Sequence, residues 1–126
     1  MDANACAELI AKRRMISPGS MSDKAVPRQA IEQIIEAGNW APSHRRTEPW
    51  RFVVIQGGAL EKLAEIYERA LDIDRPDADE RTRQKVINKA MRSPVVIMAI
   101  CHPSDLPRVK LEEEDLAVAC AIQNMS

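Results

Sequence analysis

Apolar positions recur along the chain with two different periods, and proline or glycine marks the breaks between them. In residues 3–14, Cys6, Leu9 and Ile10 fall at i, i+3, i+4 spacing. This predicts a short helix ending in Arg13-Arg14, before the break at Ser17-Pro18-Gly19-Ser20. Pro27 at a first-turn position, followed by Ile31, Ile34, Ile35 and Gly38 on one face, predicts a second helix. It stops before Ala41-Pro42, because a residue preceding proline avoids the helical region, so residues 41–49 form a loop. Residues 50–55, WRFVVI, are a run of β-formers closed by Gly57-Gly58 and predict a strand that is mostly buried. Leu60, Leu63, Ala64, Tyr67 and Leu71 return to helical spacing, and a further helix is expected over residues 80–91, up to the break at Ser93-Pro94. Residues 95–101, VVIMAIC, are short and β-branched and predict a second central strand.

The last segment, residues 111–126, opens with Glu112-Glu113-Glu114-Asp115 and continues through the apolar run 116–122. Acidic residues suit the positive end of a helix. The later part is apolar on nearly every side, so a central, buried helix is expected. Two strands separated by helices make a marginal sheet, and the last helix shows no glycine or proline stop. The expectation is therefore a single α+β domain over residues 1–126 that is incomplete at its C-terminus.

Composition narrows the function classes. The chain has 126 residues, 45% of them hydrophobic and 29% charged, as in an ordinary globular domain. Eighteen Lys and Arg against 19 Asp and Glu give a net charge of -1, so no long-range field attracts nucleic acid. Trp40, Trp50, Phe52 and Tyr67 are the aromatic residues, too few for a base-stacking platform. Cys6, Cys101 and Cys120 are far apart in apolar surroundings, which predicts reduced core thiols in a reducing compartment. No HExxH, CxxC or paired-histidine spacing suggests a metal, and no apolar stretch has the length of a signal peptide or membrane span. A cytoplasmic protein is expected.

Candidate chemistry concentrates in the loop Ala41-Pro42-Ser43-His44-Arg45-Arg46-Thr47-Glu48-Pro49, held between a helix and a strand. Its prolines set a turn and its arginines have a plain reading as solvated side chains. His44 either donates to a bound ligand or caps the loop, and His102, next to Pro103, reads as a turn residue. Arg13 and Arg14 complement the C-terminal end of the first helix. Together with a second basic loop they also offer the forked donors that a phosphate monoester needs.

The order of these pieces resembles the nitroreductase family of flavoproteins, in particular its small bacterial members. The pieces are a first helix ending in Arg-Arg, a second leading into Ala-Pro-Ser-His, then Pro-Trp-Arg-Phe-Val-Val-Ile, a later apolar strand, and a helix containing Ala-Ile-Gln-Asn-Met. The resemblance implies an α+β fold with a central sheet flanked by helices and a long buried helix at the interface of a homodimer. It implies FMN as cofactor, NAD(P)H as co-substrate, and ping-pong hydride transfer to a nitroaromatic, quinone or similar small acceptor. By position, Arg13, Arg14 and Met15 match the segment that holds the FMN phosphate and ribityl chain. Trp40 and His44, with Pro42 and Ser43 between them, match positions that reach the flavin from the partner subunit, and Gln123 and Asn124 lie on the long helix near it. Met15 stands in place of the usual serine, Arg46 of an asparagine and Glu48 of a glutamine. The family's glycine-rich segment, its remaining strands and its C-terminal basic residue have no counterpart in this sequence. The competing reading is a non-catalytic remnant that only self-associates through residues 116–125.

Overall fold

A computed structural model describes residues 2–126. The elements are α1 (Ala3–Lys12), α2 (Arg28–Asn39), β1 (Trp50–Gln56), α3 (Ala59–Asp74), α4 (Glu80–Met91), β2 (Val95–Cys101) and α5 (Leu111–Met125), with short 3-10 turns at Pro18–Ser20 and His44–Arg46. Local signals account for most boundaries. The Asp2 carboxylate accepts the Asn4 N–H at the start of α1, and the Asp79 carboxylate accepts the Thr82 N–H at the start of α4, each satisfying an otherwise orphaned helix donor. Gly57, with φ +55°, makes the turn out of β1.

The strands pair antiparallel in the register Trp50↔Cys101 through Gln56↔Val95, and the α3–α4 hairpin connects them. Alternation then sends the two faces to different partners. Trp50, Phe52, Ala99 and Cys101 pack toward Ala117, Val118 and Ala121 of α5, while Ile55 and Val96 pack toward Leu63, Ala64 and Ala90 of the hairpin. The sheet is thus flanked by helices on both faces, with α2 lying along α5.

Three expectations of burial are corrected. β1 is not mostly buried: Trp50 is, but Val53 and Val54 are 44% and 36% exposed, and Met98 and Ile100 of β2 are 41% and 40% exposed. In this two-stranded sheet both strands are edges, and the hairpin covers only the Ile55–Val96 end of its face. Helix α5 is buried on one side rather than all round. Glu114, Ala117, Val118 and Ala121 form the covered stripe, whereas Leu116 and Ile122 are 66% and 49% exposed. The thiols are not all in the core either: Cys101 is half-buried, but Cys120 lies on the open side of α5. Helix α1 has no buried residue, with Leu9 and Ile10 exposed. No helix among the described residues is long and apolar enough to cross a membrane.

The α2–α5 approach depends on Gly38. A Cβ built there would lie 3.0 Å from both Cγ and Sδ of Met125 and 3.2 Å from Cζ of Phe52. Alanine needs only a small shift of the flexible methionine, and its better helix propensity offsets that cost. Gly38→Ala is therefore expected to stay near neutral, whereas Gly38→Val overpacks the contact and costs about 1–3 kcal/mol. Urea denaturation of the two variants checks the difference.

Candidate functional site

The loop between α2 and β1 is folded tightly by its own backbone. The N–H groups of Arg46 and Thr47 donate to the carbonyls of Ser43 and His44, and the Ser43 hydroxyl accepts the Glu48 N–H at 3.2 Å. The consequence is left-handed backbone at three non-glycine residues, Arg45 (φ 55°), Arg46 (φ 55°) and Glu48 (φ 46°). Such conformations cost roughly 1–3 kcal/mol each and persist where surrounding contacts impose them. At the far end Pro49 is fully buried, and its carbonyl accepts the His102 N–H at 2.7 Å, which ties the loop to the end of β2; His102 follows that strand in irregular backbone rather than in the turn read from the sequence.

The acidic start of α5 provides the remaining contacts. Glu114 is only 2% exposed and accepts the Ser104 N–H at 2.9 Å. Burial opposes its ionisation, but the Ser104 N–H, the neighbouring Thr47 and Ser104 hydroxyls and the charge of His102 outweigh it, so the carboxyl sits below its usual range. Those two hydroxyls lie beside the carboxylate without reaching full hydrogen-bond geometry. Glu113, one position earlier, accepts from His44 Nδ1 at 2.7 Å and, through the same oxygen, from the Lys110 N–H at 3.3 Å. The His44 hydrogen bond, then the Lys110 N–H, hold its carboxyl below the ordinary value of 4.5. A lowered folded pKa gives stability that is present above the ordinary value and lost as pH falls through the folded one. A difference in melting temperature between the wild type and Glu113→Gln is therefore expected above the ordinary carboxylate range and should close as the pH falls through the lowered folded pKa.

Sequence reasoning did not single out Glu113 or Glu114. The acidic cluster was legible as helix-start chemistry, but nothing local pairs Glu113 with His44, 69 positions away. At Cys101 burial, then a hydrogen bond and the charge of Asp115, push the thiol pKa up, which disfavours the reactive thiolate. For Cys120 the expected burial fails, since it is exposed.

Four of the predicted site residues, Arg13, Pro42, Ser43 and His44, line two grooves along one stripe of α5. A groove of about 360 Å³ is lined by Pro42, Ser43 and His44 of the loop and by Glu113, Leu116, Ala117 and Cys120 of α5. A second groove, of about 540 Å³, is lined by Leu9, Ile10 and Lys12 of α1, by Arg13 just after it, and by Gln123, Asn124 and Ser126. Positions 113, 116, 117, 120, 123 and 124 continue one helical stripe, so the two grooves follow each other over roughly 16 Å of helix. Arg14, Met15 and Trp40 line neither groove. The Arg14 guanidinium folds back onto the carbonyls of Ala11 and Arg13 at the end of α1, while Met15 and Trp40 are 90% and 78% exposed. No cluster of three or more metal-ligating side chains occurs among the described residues.

Helices on both faces of a small antiparallel sheet, with a strained loop against a long helix, place the molecule among α+β proteins that carry a groove along one helix. The solved structures similar to it share that fold. A nitroreductase-like family protein from Bacillus cereus superimposes with a TM-score of 0.74 at 23% identity, covering 94% of this chain and 60% of that one. The FMN-dependent nitroreductase NfnB from Mycobacterium smegmatis, solved in complex with NADPH, gives 0.73 at 18% identity over 98% of this chain and 68% of that one. A family model described as the nitroreductase family matches residues 10–126, and the chain belongs to that family. Among relatives by sequence, YdjA of Escherichia coli (strain K12), whose assignment as an NAD(P)H nitroreductase is provisional, is 26% identical over 118 residues. That match covers 94% of this chain and 62% of YdjA, so the chain spans about three-fifths of the length of that relative.

Proposed function

We propose that this protein is an FMN-dependent oxidoreductase, a homodimer that takes hydride from NAD(P)H and passes it to a nitroaromatic, quinone or similar small acceptor in a ping-pong sequence. Membership of the nitroreductase family supports the reaction class. The observation that carries the site is the pair of grooves along α5 and the donors they contain. At one end, Arg13 lines the same groove as Gln123 and Asn124 and makes no ion pair with an acid among the described residues. A guanidinium and two carboxamides suit a phosphate monoester on a hydroxylated chain. At the other end, Pro42, Leu116 and Ala117 give an apolar wall and His44, with Ser43 and Glu113, a polar edge, which suits a planar ring.

Bound FMN supplies the two-electron chemistry. The chain's own part is to bind and orient. Arg13 holds the phosphate and Arg14 supports it by neutralising the carbonyl end of α1. Met15 contributes backbone and an apolar side chain where a serine would give a hydroxyl. Trp40, Pro42, Ser43 and His44 reach the ring from the partner subunit. In a twofold dimer each site takes its phosphate end from one chain and its loop from the other, which fits two groups of residues separated along α5. The exposed Leu9, Ile10, Leu116 and Ile122 offer the apolar surface for such an interface.

That same surface favours a second reading, a self-associating chain without flavin chemistry. Titration of the purified protein with FMN, followed by loss of free-flavin fluorescence and by size-exclusion chromatography, separates the two. A dimer binding one FMN per chain supports the enzyme; a dimer that takes up none supports the second reading.

A further inference from the structure

The His44 ring finds its hydrogen-bond partner outside its own loop, on a distant element. Its Nδ1 lies 2.7 Å from Oε2 of Glu113, with both side chains a little under half exposed. The same oxygen accepts the Lys110 N–H at 3.3 Å, so Glu113 is pinned to the first turn of α5. The positive end of the helix favours its ionised form. An ionised carboxylate can only accept hydrogen bonds. The hydrogen on a neutral His44 ring must therefore sit on Nδ1, opposite to the preference of a free histidine side chain, and Nε2 is left with a bare lone pair. His44 also lines the groove with Pro42 and Leu116.

We infer that Glu113 is a positioning residue that fixes neutral His44 as its Nδ1–H tautomer. The loop groove therefore selects an aromatic ligand that presents a ring N–H or a phenolic O–H to Nε2. This rests on the reading of that groove as the place of a planar ring, and adds which edge of the ring is recognised. A ring edge offering only acceptor atoms to His44 meets a lone pair facing a lone pair and is disfavoured at that edge of the groove while His44 is neutral, which leaves open where on the flavin a quinone or nitroaromatic stacks. Two sources carry the donor, the imide N–H of the flavin and the hydroxyl of a phenolic ligand, and the experiment tells them apart.

The test is nitrogen NMR of the full chain labelled with 15N-histidine, at a pH where the histidines are neutral. Nδ1 of His44 is expected to give a pyrrole-type shift and Nε2 a pyridine-type shift, with the bias lost in Glu113→Ala and partly restored in Glu113→Asp. FMN against N3-methyl-FMN, and phenol against anisole, then differ only in the donor. The donor-bearing member of the responsible pair is expected to move the Nε2 signal and to bind about tenfold more tightly, a ratio that collapses in Glu113→Ala. A proton on Nε2 in the wild type, or a tautomer indifferent to Glu113→Ala, overturns the inference without touching flavin binding. So does FMN that binds by fluorescence while no probe moves Nε2. If phenol shifts Nε2 and FMN fails to bind, the inference stands and the flavin reading falls.

Discussion

Replacing Trp50 by alanine is expected to remove roughly 3–5 kcal/mol of folding stability, as for other buried aromatic truncations. Domains of this kind are stable by only about 5–15 kcal/mol in total, so this substitution alone takes a large share. The expectation follows from position. Trp50 is 5% exposed, begins β1 directly after the fully buried Pro49, and packs on Ala117, Val118 and Ala121 of α5. Three small or medium residues on the helix make room for one large ring, so its removal leaves a cavity in the cluster. Its indole N–H also donates to Oδ1 of Asn39 at 3.1 Å, fastening the end of α2 to the sheet. Trp50→Phe keeps most of the packing and loses that bond, and should cost about 1 kcal/mol more than a volume-matched apolar exchange. Chemical denaturation followed by circular dichroism gives both numbers. A loss below about 1 kcal/mol for Trp50→Ala would place the core elsewhere than in this cluster.

The second large effect concerns ligand affinity. Arg13→Ala is expected to weaken FMN binding in the whole protein by about tenfold to a hundredfold, the value of a charge-assisted hydrogen bond to phosphate. Arg14→Ala should weaken it less, because the Arg14 guanidinium is occupied by the carbonyls of Ala11 and Arg13. Equilibrium titration by flavin fluorescence measures both variants. An unchanged dissociation constant for Arg13→Ala removes Arg13 from the site, and equal losses for the two variants would mean that Arg14 turns toward the ligand on binding.

Much of the local structure was legible before any coordinates. The Ser93-Pro94 break ends α4 at Met91 and β-branching set β2 at Val95–Cys101, as expected from the sequence, while the Asp79 cap that starts α4 at Glu80 emerged only with the structure. These signals act over a few residues and need no knowledge of the rest of the chain. Burial was less legible. The run from Trp50 to Ile55 has the composition of an interior strand, but exposure depends on how many neighbours cover it, and α3 and α4 cover one end only. The apolar run in α5 likewise misled, because hydrophobicity all round a helix does not say how many sides this chain itself covers.

The candidate site was legible in part and for different reasons. Prolines, a histidine and paired arginines marked the loop, and the structure brings Pro42, Ser43 and His44 together against α5. Arg13 lines the other groove with Gln123 and Asn124. The strain at Arg45, Arg46 and Glu48 had no sequence signal, since glycine or asparagine would ordinarily mark such backbone. Nor did the partnership of His44 with Glu113 or the burial of Glu114. Both depend on how the β2–α5 connection returns to the loop, a long-range feature that no window of neighbouring residues contains.

The central claim is that this protein carries FMN and passes hydride through it, and anaerobic reduction tests it most directly. The FMN-loaded protein should show oxidised-flavin absorbance near roughly 370 and 450 nm, which bleaches on adding NADPH or NADH under nitrogen and returns when a quinone or nitroaromatic is supplied. Bands that stay unchanged with both nicotinamide cofactors, or a protein that takes up no flavin, would contradict the account.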